Sequence, residues 1–245
     1  MRRFERAPEP PSFDDEIRGP GKAWLEANPD AKPKSFPAHW TLCLGDLTSA
    51  FDDLCAYSVM WTSRPTVDHY LSKSSREGRA LTYEWSNYRR ADLEMNQAKG
   101  TWDRRILDPF EVQDDWFEIL LPTLELIVVD ERIPLHRRDD ALFTLRTLGL
   151  GDGDDILAAR LAWYEPFTEG MVDLQYISKK APLIARAVRK RLAELNPAAF
   201  DDEQTHFRSF LDGDCTLKIL RKTAPRLAET IDAALRRPDE RAKRR

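Results

Sequence analysis

A neutral base, a hard divalent cation and a phosphate-binding cation together suffice to hydrolyse a phosphodiester. One stretch of about 33 residues, Asp68 to Gly100, carries side chains for all three. His69 is a suitable base near neutral pH. Asp68 and the amide oxygen of Asn96 suit Mg²⁺, or another divalent ion such as Mn²⁺, which keeps several waters and needs only one or two protein ligands. Such an ion neutralises developing charge and holds the leaving oxygen. Asn87 can fix the loop that aims the histidine. Lys99, with Lys73, Arg89 and Arg90, can sit against phosphate. Each element alone is commonly structural: Asp-His is a frequent dipeptide, and an arginine pair is often a solvated helix face. Their joint occurrence in this order is what carries weight.

The spacings specify how the elements must lie. From His69 to Asn87 is 18 residues, room for a loop, and from Asn87 to Asn96 is 9. Asn96 and Lys99 are three apart and share a helix face. Ala56–Met60 and Thr66–Tyr70 read as two short β runs, with Ser63-Arg64-Pro65 turning between them. Residues 71–86 read as a polar loop with candidate β positions at Leu81–Tyr83. Tyr88 to Ala98 reads as helix, closed by Gly100. Asp68 and His69 would point to opposite faces within a strand, so the site requires a bend or a strand end there. Trp85 and Tyr57 are expected to pack the site.

Around this segment, residues 1–37 carry Pro8, Pro10, Pro11, Pro20, Pro29, Pro33 and Pro37. They are expected to run extended, with one short helix near Lys22–Ala27. Trp40, Leu44, Leu47, Phe51 and Leu54 recur at steps of 3 and 4, one face of a helix. Residues 116–129 read as a hairpin around Pro122-Thr123. Helices are expected at 137–148 and 154–166. They continue at 171–195 with a kink at Pro182, then at 203–211 and at 216–236 with a break at Pro225. The expected class is α+β, mostly helical: a ββα core in 1–130 and an appended helical region in 131–245. Leu142, Leu145, Leu148, Ile177, Ile184 and Val188 exceed what one small core can bury, so some are expected to face a partner.

Composition excludes several classes. The 245 residues are 42% hydrophobic and 33% charged, as in a globular protein. No apolar run approaches a membrane span, and the start has no secretory h-region. Cys43, Cys55 and Cys215 are too few and too scattered for a disulfide framework, so a reducing cytoplasm is the simplest compartment. A net charge of −4 argues against coating nucleic acid by bulk charge. Local basic patches remain at Arg89-Arg90, Arg104-Arg105, Arg186 to Arg191 and the tail from Arg236 to Arg245. No zinc finger or helix-turn-helix signature stands out, against a stand-alone restriction or homing nuclease.

The order Asp68-His69, Asn87, then Asn96 followed by Lys99 resembles the HNH (ββα-metal) nuclease family. Many of its members hold a structural zinc with two Cys-x-x-Cys pairs. Here only Cys55 remains: Ser58 stands at the second position, and Asp92 and Met95 at the other pair. No structural zinc is therefore expected, with packing by Leu93 and Met95 in its place. The segments Leu54–Tyr57, Val67–Tyr70 with Lys73-Ser74, Glu84–Asn87, Asn96–Gly100 and Ala141–Leu150 with Arg160 are similar to the HNH subunit of Septu-type anti-phage defence systems. The resemblance implies a DNA-cutting effector with an ABC/SMC-like ATPase partner, docked through the helical region. The competing expectation is a non-cleaving HNH scaffold that docks an ATPase or DNA, although such a descendant could lose His69 freely. Self-association stays open.

Overall fold

Pro65, Val67 and His69 alternate with Thr66 and Asp68, and this period of two gives a strand, β1 (Pro65–His69), in the computed structural model. The structure describes residues 1–121, 123–195 and 203–236. In chain order the elements are α1 (Gly19–Ala27), α2 (Leu44–Ala50), β1, α3 (Arg76–Ala80), β2 (Tyr88–Asp92), α4 (Leu93–Lys99), β3 (Phe117–Leu120), β4 (Glu125–Val128), α5 (Leu135–Thr147), α6 (Asp154–Thr168), α7 (Leu174–Lys180), α8 (Pro182–Ala193), α9 (Gln204–Asp212), α10 (Leu217–Thr223) and α11 (Pro225–Leu235). The protein is mostly helical, with two small antiparallel sheets. The class is thus α+β.

The chain forms two compact units that interleave in sequence. One comprises Met1–Trp116 with Asp130–Leu148; the other comprises Phe117–Val129 with the chain from Gly149 onward. The expected division at 130/131 differs from this at two elements. Helix α5 belongs to the first unit: Thr144 accepts from the Leu107 N–H at 2.9 Å and Phe143 packs edge-on to Trp102. The β3–β4 hairpin belongs to the second, where Arg186 donates to the Phe117 carbonyl and Lys190 pairs with Glu118.

In the first unit, β1 pairs antiparallel with β2, from Pro65 opposite Asp92 to His69 opposite Tyr88. Helix α4 follows directly, capped by the Asp92 carboxylate on Glu94 N–H. Gly100 closes it at φ +51°, a conformation glycine adopts without steric cost. Two antiparallel strands followed by a helix are therefore present, but the partners differ from expectation. Ala56–Met60 is not a strand. Leu54 bridges Trp61 while Cys55 N–H bonds to the Met60 carbonyl, so the chain reverses within this stretch. Left-handed Asp52, Asp53 and Val59 shape that reversal. Leu81–Tyr83 is not a strand either, and the second strand is Tyr88–Asp92, where helix was expected. Arg89 and Arg90 suit a helix by propensity, but their charges are met inside the fold, which lets this segment be buried as a strand.

The rest of the first unit anchors these elements. The N-terminal stretch runs extended and buries Phe4 and Phe13. Its helical part is longer than expected, because a π-turn over Asp14–Arg18 leads into α1. Trp40 lies on a 3₁₀ turn, His39–Cys43, that leads into α2. The loop after His69 doubles back so tightly that a Cβ at Gly78 would lie 2.0 Å from the Ser72 carbonyl oxygen, so only glycine fits.

In the second unit, β3 and β4 pair from Phe117 opposite Val128 to Leu120 opposite Glu125. The expected turn residue Pro122 lies outside the described residues, as does the basic tail beyond Arg236. Pro182 and Pro225 do not kink helices. Each starts one, after a non-helical residue at Ala181 or Ala224. Ile177, Ile184 and Val188 are buried within this unit, and Leu148 within the first. Local packing therefore covers these four, while Leu142 and Leu145 are half-buried. Arg160 is buried and donates to the carbonyls of Leu124, Leu150 and Gly151, pinning the hairpin to the 149–153 loop. Its burial without a carboxylate lowers its pKa to about 10.

Candidate functional site

Alternation along β1 and β2 sets the geometry. Asp68 and Arg89 face each other across the pair, as do His69 and Tyr88. Successive residues point to opposite faces, so the Asp68 carboxylate meets α4 and the His69 ring meets the other side. The strand ends at His69.

His69 is buried, and its Nε2 lies 2.9 Å from the Thr82 carbonyl. That oxygen also accepts the Tyr88 hydroxyl at 2.8 Å. A carbonyl can only accept, so Nε2 carries the proton and Nδ1 presents the lone pair. No described residue hydrogen-bonds to Nδ1. The ring stands edge-to-face against Trp40 at 4.8 Å and Tyr88 at 5.1 Å. Burial, then the nearby Lys73 and Lys99 charges, lower its pKa to about 3. The imidazole is therefore neutral across the ordinary pH range.

Asn87 acts through the loop. Its Oδ1 accepts Leu71 N–H at 2.8 Å, and its Nδ2 donates to the carbonyls of Leu71 and Leu81 at 3.0 and 3.2 Å. Both ends of the segment that delivers Thr82 are thus tied to one buried side chain. Asn87 thus ties down the loop whose Thr82 carbonyl meets His69 Nε2.

On the other face, Asp68 is 2% exposed. It accepts the Tyr57 hydroxyl at 2.6 Å and pairs with Lys99 Nζ at 3.0 Å. Tyr57 is wholly enclosed, and burial, then the Asp68 charge, raise its pKa well above the ordinary value. Lys99 is 0% exposed and also donates to the His69 carbonyl at 2.9 Å. It serves the interior, which corrects its expected place against phosphate. Asn96 orients unambiguously. The Thr66 hydroxyl is directed at the Ala91 carbonyl, so it can only accept from Asn96 Nδ2, at 3.0 Å. The Val67 carbonyl takes the same amide group at 3.4 Å. Asn96 Oδ1 is therefore turned away, and no described residue hydrogen-bonds to it.

Both oxygens are of the type a hard cation takes, although Asp68 is buried and already paired with the Lys99 ammonium. Asn96 Oδ1 is unengaged, its amide group bonds to the two residues just before Asp68, and each Asp68 oxygen keeps a second lone pair. Among the described residues no three His, Cys, Asp or Glu side chains group as metal ligands. A divalent ion here would thus take one carboxylate, one amide oxygen and waters. Asp92 and Met95, the positions where the sequence resemblance would place zinc ligands, are otherwise engaged or apolar: Asp92 accepts from Thr62 and caps α4, and Met95 and Leu93 are half-buried.

The basic residues divide. Arg89 is buried and forms a two-pronged pair with Asp108 at 2.8 and 2.6 Å, with its guanidinium over the Phe110 ring. Arg90 is buried against Thr48 and Asp53 at 3.2 Å each, and burial lowers its pKa. Neither is placed to meet a phosphate from solvent, a second correction to the expected contacts. Lys73 is half-buried, with its ammonium 3.9 Å from the centre of the Trp40 ring. Burial lowers its pKa, and the Asp68 charge opposes that. No described carboxylate lies within ion-pair distance of it.

The structure thus sets Asp68, Asn96 and Lys99 on the α4 face of the β1–β2 pair and His69, with Lys73 and Trp40, on the other, while Asn87 ties the loop after His69. Arg89 and Arg90 lie outside the group. Thr82, Trp40 and Tyr88 were not legible as site residues, because each acts through a carbonyl or a ring contact that spacing does not encode. Trp85 backs the site through Tyr88 and Phe13 and donates to the Ala7 carbonyl at 3.0 Å. No family model matches the chain, and no curated protein matches it.

Proposed function

We propose that this chain is a metal-dependent endonuclease of the HNH kind that hydrolyses phosphodiester bonds in DNA. The observation that carries the reading is the His69 ring: its Nε2 proton is committed to Thr82, and its Nδ1 lone pair is unengaged. A neutral imidazole of fixed tautomer has a lone pair that can take a proton from water, but burial, which lowers its pKa to about 3, makes it a weaker base than one tuned near neutral pH.

Nδ1 of His69 takes a proton from water as its oxygen attacks phosphorus. The phosphorus–O3′ bond breaks on the opposite side, and the 3′ oxygen leaves with a proton from solvent. Lys73 offers its ammonium to a non-bridging phosphate oxygen. Asp68 and Asn96 would hold Mg²⁺ or Mn²⁺. When bound, such an ion supplies charge neutralisation at the phosphate and at the leaving oxygen. Asn87 keeps the Thr82 carbonyl in place and so keeps the ring aimed.

The wider reading is an effector of an anti-phage complex with an ABC/SMC-like ATPase. It rests on the sequence resemblance alone. The burial of Arg89, Arg90 and Lys99 favours a second reading, a scaffold that docks an ATPase or DNA without cutting, because it leaves Lys73 as the half-exposed cation of the group. Supercoiled plasmid incubated with the purified full chain and Mg²⁺, wild type against His69→Ala, separates the two. Cleavage lost in the variant supports the nuclease; no cleavage by wild type, alone or with the co-expressed ATPase, leaves the scaffold.

A further inference from the structure

Trp40 lies outside the strands and helix that carry the candidate ligands, yet it touches both working side chains. Its ring stands at 88° to the His69 ring, with centroids 4.8 Å apart. The Lys73 ammonium lies 3.9 Å from the same ring's centre. A large aromatic in a core ordinarily directs its indole N–H to an acceptor, as Trp85 does toward Ala7. Trp40 makes no such bond to the described residues and is half-exposed. Its position is nevertheless well anchored. Tyr83 packs on it at 5.8 Å and bonds to the Pro37 carbonyl at 2.8 Å, and Cys43 Sγ donates to the Trp40 carbonyl.

Lys73 is correspondingly peculiar. A lysine near a site usually gains definition from a carboxylate, and this one has none within ion-pair distance among the described residues. The aromatic face takes that role, since the ring's negative face attracts the ammonium without satisfying its hydrogen bonds. The three N–H donors stay available to an anion, whereas a salt bridge would occupy them.

We propose that Trp40 is a positioning residue of this site: its face holds the Lys73 ammonium beside His69, so that cation and base address one phosphate of the nucleic acid. The inference rests on the hydrolytic reading for its chemistry, but the Trp40–Lys73 coupling can be read from binding alone.

The test is a double-substitution cycle in the full chain, with Trp40→Leu, Lys73→Ala and the pair. Trp40→Phe serves as the variant that keeps an aromatic face. Binding is read as the Kd of a fluorescein-labelled DNA duplex in EDTA, and cleavage as kcat and KM with Mg²⁺. Thermal unfolding of each variant shows that it is folded. Lys73→Ala is expected to weaken binding about fivefold or more in wild type and to change little in Trp40→Leu, with Trp40→Phe close to wild type. Losses that simply multiply, or a Trp40→Phe as weak as Trp40→Leu, overturn the proposal. Coupling in binding without cleavage by any form keeps the pair and removes the hydrolase. Cleavage with multiplying losses keeps the hydrolase and removes the pair. A wild-type chain that neither binds nor cuts DNA overturns both.

Discussion

His69 and Tyr88 face each other across the end of the β1–β2 pair and direct their polar hydrogens at one oxygen, the Thr82 carbonyl. The tautomer of the base is therefore a property of the loop. ¹⁵N-correlated NMR of the imidazole is expected to show a neutral ring protonated at Nε2. His69→Ala should lower cleavage by roughly 10²-fold or more while leaving DNA affinity near wild type. Equal cleavage by the two proteins would remove His69 from the mechanism.

A pH dependence of stability follows from the same burial. Burial lowers the His69 pKa from its ordinary 6.5 to about 3. Between those values the unfolded chain binds the extra proton. The contribution is therefore complete above about pH 6.5 and is lost as pH falls toward about 3. Urea midpoints in EDTA at pH 7.5 and pH 5 should drop further for wild type than for His69→Gln, which keeps a donor for Thr82. Parallel drops would show that the ring is hydrated.

Spacing pointed to Asn87 as a tie for the loop after His69, and in the fold its amide holds Leu71 and Leu81; His69 lies at the strand end, and its part as a base is a proposal. The strands were harder. Tyr88–Asp92 reads as helix because Arg89 and Arg90 are helix formers, and only Asp108 and Asp53, distant in sequence, make a buried strand affordable there. Ala56–Met60 has β composition, but left-handed Asp52, Asp53 and Val59 turn it back on itself. Pro182 and Pro225 marked interruptions in the sequence, but Pro182 starts a helix where a kink was expected, because proline fits the first helical position. Lys99 misled for a different reason: Asn-x-x-Lys places both residues on one helix face, but burial decides whether that face meets solvent.

Lys99 is expected to matter for folding before function. Lys99→Met leaves the Asp68 carboxylate buried with only Tyr57, and breaking such a pair costs about 3–5 kcal/mol. Adding Asp68→Asn should recover part of that, since no unpaired charge then remains. Denaturant unfolding of the two variants decides it. A Lys99→Met protein as stable as wild type, with weakened DNA binding, would return Lys99 to the phosphate.

Arg89 gives the complementary case. It forms a two-pronged pair with Asp108, and both partners are buried. Arg89→Met should destabilise the fold by about 3–5 kcal/mol. The salt dependence of DNA binding, which counts phosphates neutralised, should keep its slope. Lys73→Ala should do the reverse, leaving stability almost unchanged and reducing that slope by about one unit. If Arg89→Met shallows the slope instead, its guanidinium leaves Asp108 to meet DNA.

Asn96 offers the sharpest test of the cation. Its amide group is held by Thr66 and Val67, so its Oδ1 is the atom left for a ligand. Asn96→Ala should raise the Mg²⁺ concentration needed for half-maximal cleavage. Asn96→Asp, which supplies a charged oxygen at the same place, should lower it or leave it near wild type. EDTA should stop cleavage, and Mg²⁺ or Mn²⁺ should restore it. Elemental analysis of the purified protein should find no stoichiometric zinc, since Cys55 stands without the soft partners a closed site needs. Cleavage that is indifferent to EDTA and to both Asn96 substitutions would sink the metal-assisted mechanism.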